Sequence, residues 1–153
     1  MRLFVLAALV VSFTSAAPPG WSDADMLEPK DLATRLADAK SPKPVIFQVG
    51  FGYQYRSKHI PKAIYAGPGK TAEGLASLRS AVAGLSKDQE IVLYCGCCPW
   101  HMCPNMKPAF ALLRELGFKR VKALNIETNF AKNWIELGYP VEAGSAATAP
   151  ATR

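Results

Sequence analysis

The sequence predicts a small α/β domain with a mainly parallel central sheet flanked by helices. Three observations carry this. Short apolar runs of strand length alternate with segments whose apolar residues recur at helical spacing. The short runs are bounded by Pro and Gly, which favours buried strands over helices. The chain of 153 residues is the length of one ordinary domain, and no internal repeat divides it.

Taken in order, "MLEPKDLATRLADAK" within residues 21–40 places Leu27, Leu32, Leu36 and Ala39 at helical spacing, with Pro29 near the start, where a missing amide does no harm. "SPKP" breaks the chain, and "VIFQVGF" follows as a first strand. "GYQYRSKHIPKAIYAGPG" reads as loop with a short strand over 63–66. "TAEGLASLRSAVAGL" carries Leu75, Leu78, Val82 and Leu85 on one helical face. A strand over 90–94 runs into Cys95, and "NMKPAFALLRELGF" is a helix closed by Gly117. "KRVKALN" is the last strand, and "NFAKNWIELGYPVE" a short helix with an exit turn.

The two ends differ from this pattern. Residues 1–16 place Arg2 before an apolar run, Leu3 to Val11, followed by small residues, the layout of a secretory leader and too short for a bilayer span. Cleavage is expected after Ala16, because Pro18 is a poor residue to follow a cut. The domain is expected over 21–142, and the small-residue tail 143–153 is expected to be disordered. These readings predict an exported protein, periplasmic or extracellular, with no membrane attachment after cleavage. Half the residues are hydrophobic, a fifth are charged, and the formal net charge is +6. The basic residues are scattered and do not interleave with aromatics, so nucleic acid is not an expected partner, whereas a small anion is compatible.

The chemistry concentrates in "YCGCCPWHMCPN", residues 94–105, which holds all four cysteines: Cys95, Cys97, Cys98 and Cys103. In parallel α/β folds, ligands bind beyond the carboxyl ends of the strands, where Cys95 falls. A thiol on a strand-to-helix loop faces backbone N–H groups and a helix N-terminus, which stabilise an anion on sulfur. The spacing matches neither the paired knuckles of structural zinc sites nor a haem attachment site. Crowded soft donors suit Cu(I) better than zinc, with Cys97, Cys98, His101 and Cys103 as the candidate ligands and Met102 beside them. In an oxidising compartment, pairing of Cys97 or Cys98 with Cys103 is a third reading.

Several segments together resemble the single rhodanese domain. Its members read as a strand ending in D-V-R, then E-Y-x-x-G-H-I-P-G-A, then a strand ending in the catalytic cysteine, then L-L-x-x-x-G-F and W-x-x-x-G-x-P-V. Here "VIFQVGF", "HIPKAI", "IVLYCG", "LLRELGF" and "WIELGYPV" stand in that order over residues 26–142. The resemblance implies that Cys95 accepts sulfane sulfur as a persulfide from a small donor and passes it to a thiol acceptor, without a cofactor. It assigns His59 to the H-I-P turn, and Trp134, Gly138 and Pro140 to a packing segment.

The departures from that pattern define the expected site. Gln48 and Gly50 replace the Asp and Arg of D-V-R, so the family's electrostatic brace is not expected. The family loop is C-x4-R; here Asn105 falls near the Arg position, the loop is longer by about five residues, and Lys107 is the nearest cation in the following helix. A longer loop can admit a larger substrate, or let Cys97, Cys98 or Cys103 resolve a persulfide on Cys95. Gln48, His59, Trp100, His101, Asn105 and Lys107 are the expected lining. The readings are a sulfurtransferase, a copper or zinc module, or a catalytically silent domain of the same fold.

Overall fold

The computed structural model describes residues 22–144, so the expected leader, Trp21 and residues 145–153 of the expected tail lie outside the described residues. Of that tail, Gly144 is described, and its N–H donates to the Arg56 carbonyl at 3.1 Å.

The elements, in chain order, are β1 (Met26–Leu27), α1 (Pro29–Ala37), β2 (Val45–Gln48), α2 (Gly52–Ser57), β3 (Ile64–Tyr65), α3 (Ala72–Ala81), β4 (Glu90–Tyr94), α4 (Met106–Glu115) and β5 (Arg120–Leu124). A π-type turn, Ala131–Ile135, follows. The five strands form one sheet in the order β1-β5-β4-β2-β3, and every pairing is parallel. β4 is central, and all but the first of its residues are buried. Ile91, Val92 and Leu93 are fully buried, each contributing about 1.5–3 kcal/mol relative to exposure, so the end of β4 is a rigid platform.

Two apolar layers enclose the sheet. Alternation along β4 sends Ile91, Leu93 and Cys95 to one face, where α3 and α4 supply Leu78, Met106, Phe110 and Leu113. Val92 and Tyr94 face the other layer, with Leu32, Ile60, Phe130 and Trp134. The Cys95 side chain is thereby committed to the α4 side. Trp134 is fully buried, and its Nε1–H donates to the Pro140 carbonyl at 2.8 Å, which gives the closing segment a packing role.

Two sequence expectations are corrected here. Leu27 belongs to strand β1, not to the first helix, and Ala39 lies beyond that helix. Proline at the first helical position holds Glu28 extended (φ −72°, ψ 140°), so the chain before it lies against β5. At the other end, Asp38 Oδ1 accepts from the Lys40 N–H and Oδ2 from the Ser41 hydroxyl, a turn that competes with further helix. Residues 52–57, read as loop, form α2; only Tyr55 in it is buried, so no apolar repeat marks it. No helix among the described residues is long and apolar enough to cross a membrane.

Candidate active site

Cys95 follows directly on β4 and is 3% exposed. The next residue, Gly96, has φ +88°, and a β-carbon there would lie 2.9 Å from Phe130 Cβ. Glycine at this position therefore permits both the turn off the strand and the docking of the Phe130 segment, whose N–H donates to the Gly96 carbonyl at 3.0 Å. From Cys97 the chain makes a short 3-10 turn, Trp100–Met102. That turn is clasped to the segment just after β5 by the Trp100 N–H, which donates to the Ile126 carbonyl at 2.8 Å. The loop then returns, bringing Cys103 and Asn105 back beneath Cys95 before α4 begins.

The four cysteines are free thiols. Cys97 is the hub: its Sγ lies 3.2 Å from that of Cys95, 3.1 Å from that of Cys98 and 3.8 Å from that of Cys103. The Sγ atoms of Cys95, Cys97 and Cys103 all lie within 4.8 Å of one another. Asn105, fully buried, donates its Nδ2–H to Cys95 Sγ at 3.4 Å, while its Oδ1 accepts from the Lys70 N–H at 3.2 Å. Gln48 Nε2–H donates to the Cys95 carbonyl at 3.1 Å, and Gln48 Oε1 is buried with no hydrogen-bond partner.

Cys95 and Cys103 share one negative charge through a hydrogen bond, and it is favoured on Cys103. A hydrogen bond from Cys95, the Asn105 backbone N–H and the remaining thiols together hold its pKa down at about 5, against the cost of burial. Its hydrogen bond to Cys103, with burial, pushes Cys95 well above the ordinary thiol range, and burial raises Cys98 to about 12. The sequence places the helix N-terminus opposite Cys95. The longer loop instead presents that end of α4 to Cys103, two residues before Asn105.

A cleft of about 400 Å³ opens beside Cys95. Gln48 and Cys97 line it, with Tyr53, Gln54, Ser57 and Lys58 from α2 and its end on one side, and Phe130 on the other. Of the expected lining, Gln48 is in the cleft wall and Asn105 touches the Cys95 sulfur. His59 is not among the lining residues. It is buried, its Nδ1 lies 2.8 Å from the Tyr55 carbonyl, it stacks on Tyr55, and its backbone pairs with Glu142. Trp100, His101 and Lys107 also lie outside the lining: His101 and Lys107 are exposed, and Trp100 packs edge-on to His101. The candidate metal ligands also separate in space. Cys97 and Cys103 are gathered with Cys95, whereas His101 and Cys98 fall outside the mutually close set.

In place of a charged brace, Gln48 makes a neutral hydrogen bond to the Cys95 carbonyl. The α2 wall went unseen because a six-residue helix with one buried side chain has no periodicity to read. Phe130 lies in "NFAKNWIELGYPVE", which reads from the sequence only as a short helix with an exit turn.

Comparison with known proteins agrees with this architecture. The rhodanese-like domain model matches residues 28–126. The chain is similar to the rhodanese-like domain of the Alr3790 protein from Anabaena sp., at 22% identity and TM-score 0.58, over 84% of this chain and 86% of that one. It is similar to the BH2092 protein of Bacillus halodurans at 25% identity and TM-score 0.60, over 83% and 82% of the two chains. A thiosulfate sulfurtransferase from Pseudomonas aeruginosa is 26% identical with TM-score 0.59, over 87% of this chain but only 22% of that longer one. No curated protein matches. With a cysteine at the end of the central strand, a cleft beside it and the family model spanning most of the described residues, the chain belongs to the rhodanese-like domain family.

Proposed function

We propose that this protein is an exported sulfurtransferase that carries sulfane sulfur as a persulfide on Cys95 and hands it to a thiol. The observation that carries the reading is the position of Cys95 Sγ, beside an open cleft and 3.2 Å from a second thiol, that of Cys97. Export rests on the leader-like composition of residues 1–16.

The resting cluster holds its negative charge on Cys103. Cys95 and Cys103 share one proton through their hydrogen bond; in the form that reacts it sits on Cys103, and the Cys95 thiolate attacks the outer sulfur of a donor such as thiosulfate. The donor S–S bond breaks, sulfite leaves with the electron pair, and the sulfane sulfur stays on Cys95. The Asn105 amide N–H, already on Sγ, stabilises the charge that alternates there. Lys58 at the cleft wall takes the place of the missing loop arginine in attracting an anionic donor. Transfer then follows when a thiolate attacks the outer sulfur of the persulfide and Cys95 leaves as thiolate. Cys97 is the nearest protein thiol for this step, and an external thiol entering the cleft can take the sulfur onward.

The test is sulfur transfer from thiosulfate to a thiol, with intact-mass detection of a persulfide. Cys95→Ser is expected to abolish both; transfer retained in that variant overturns the assignment. Cys97→Ser is expected to keep the Cys95 persulfide and slow its discharge. No persulfide on the wild-type protein after exposure to donor leaves a silent member of the family.

A further inference from the structure

The cysteine cluster has more thiols than sulfur transfer through Cys95 needs, and their arrangement has a second chemical capacity. Three Sγ atoms, from Cys95, Cys97 and Cys103, lie within 4.8 Å of one another. Cys95 and Cys103 are 3% and 2% exposed, while Cys97 is half-buried and reaches the cleft. A metal about 2.3 Å from each of three coplanar sulfurs holds them roughly 4 Å apart. Cys97 and Cys103, at 3.8 Å, already meet that spacing. Cys95 and Cys97, at 3.2 Å, need to part by roughly 1 Å, which rotation of the loop side chain of Cys97 can supply.

The donor set selects the metal. A four-coordinate zinc site needs a fourth ligand on the same centre. Cys98 lies outside the mutually close set, and His101 is exposed with its ring edge-on to Trp100. What remains is three soft thiolates in a nearly dry setting, which favours a thiophilic ion satisfied by three sulfurs. Hydrogen-bond donors surround them as metal–thiolate centres require: Asn105 Nδ2–H on Cys95 and the first turn of α4 beneath Cys103.

We propose that Cys95, Cys97 and Cys103 form a three-sulfur Cu(I) site that uses the same sulfur atom as the persulfide. Cu(I) binds without change of oxidation state, the thiol protons pass to solvent, and three Cu–S bonds form. Copper on the Cys95 sulfur draws off its negative charge and blocks the approach of a donor, so bound Cu(I) suppresses persulfide formation on Cys95. The copper site does not rest on the transfer reading, since it requires three thiols and no turnover.

The experiment uses the full chain, reduced and anaerobic, titrated with Cu(I) against a chromogenic Cu(I) chelator. One equivalent is expected to bind. In the wild-type protein, bound Cu(I) is expected to protect Cys95, Cys97 and Cys103 from alkylation while Cys98 still reacts, as read by peptide mass spectrometry. Cys97→Ser and Cys103→Ser are each expected to weaken Cu(I) binding by roughly tenfold or more, with His101→Ala unchanged. X-ray absorption is expected to count three sulfurs. Alkylation of all four thiols in the presence of Cu(I), or equal loss of affinity in His101→Ala, overturns the site. Zn(II) held more tightly than Cu(I) by the same thiols overturns the choice of metal. Persulfide formation is scored separately on copper-free protein, so failure of either result leaves the other readable.

Discussion

Gly50 lies so close to Cys95 that a β-carbon on it would sit 2.9 Å from Sγ and 2.7 Å from the carbonyl oxygen. The family's arginine at this position has no room here; the backbone of β2 and its extension is pressed against Cys95. Gly50→Ala is expected to cost about 1–3 kcal/mol of stability by overpacking and to slow transfer by displacing Cys95. Urea denaturation and thiosulfate turnover measure the two effects, and a fully active, equally stable variant contradicts the close approach.

Asn105 joins two parts of the site, donating to Cys95 Sγ and accepting from the Lys70 N–H. Asn105→Ala removes the Lys70 N–H acceptor and the amide donor on the buried Cys95 sulfur, at a cost of about 1–3 kcal/mol. Its sulfur-specific consequence is a shorter lifetime of the Cys95 persulfide in the absence of acceptor, followed by mass spectrometry. A variant that loses stability but keeps the persulfide lifetime assigns Asn105 to packing alone.

Lys58 is the cation on the cleft wall, while Lys107 points away to solvent. Lys58→Ala is expected to raise KM for thiosulfate several-fold with kcat nearly unchanged, about 0.5–1 kcal/mol of lost attraction at an exposed site. Lys107→Ala is expected to change neither. Raising the salt concentration in the wild-type assay is expected to mimic Lys58→Ala.

The start of β4 is anchored by charge. Glu90 accepts from Arg35 Nη1–H and Nη2–H at 2.8 and 2.9 Å and from Arg120 Nη2–H at 3.0 Å. The Arg35 hydrogen bonds hold the Glu90 carboxyl below its ordinary pKa. A carboxyl depressed on folding stabilises the fold fully above its unfolded pKa, and the gain is lost as pH falls through the folded value. Glu90→Gln is therefore expected to destabilise the protein at neutral pH and to flatten the acid limb of its stability. Urea titrations from neutral pH to below the carboxylate range measure this, and parallel limbs for the two proteins rule the anchor out.

Much of the fold was legible in the sequence. The central strands and the helix closed by Gly117 were readable because their apolar residues repeat with the period of the element. β1 and α2 were not: two residues of edge strand and six of helix with one buried side chain carry no usable repeat. At the site, Cys95 was legible from its position after a buried strand, and Asn105 from its place in the loop. His59, Trp100, His101 and Lys107 do not line the cleft beside Cys95, because neighbours in sequence on a folded loop need not share a cavity.

By itself, the sequence determined the alternating architecture, a cysteine at the end of β4, and four thiols within nine residues. Those follow from local periodicity and from the residues present. Only the tertiary structure decided which sulfurs touch and where the charge rests. The loop has no periodicity of its own. Its path is set by distant constraints: Gly96 turning under Phe130, Trp100 clasped to Ile126, and α4 starting late enough to face Cys103. Those contacts make Cys97 the hub and draw Cys95 into a shared cluster.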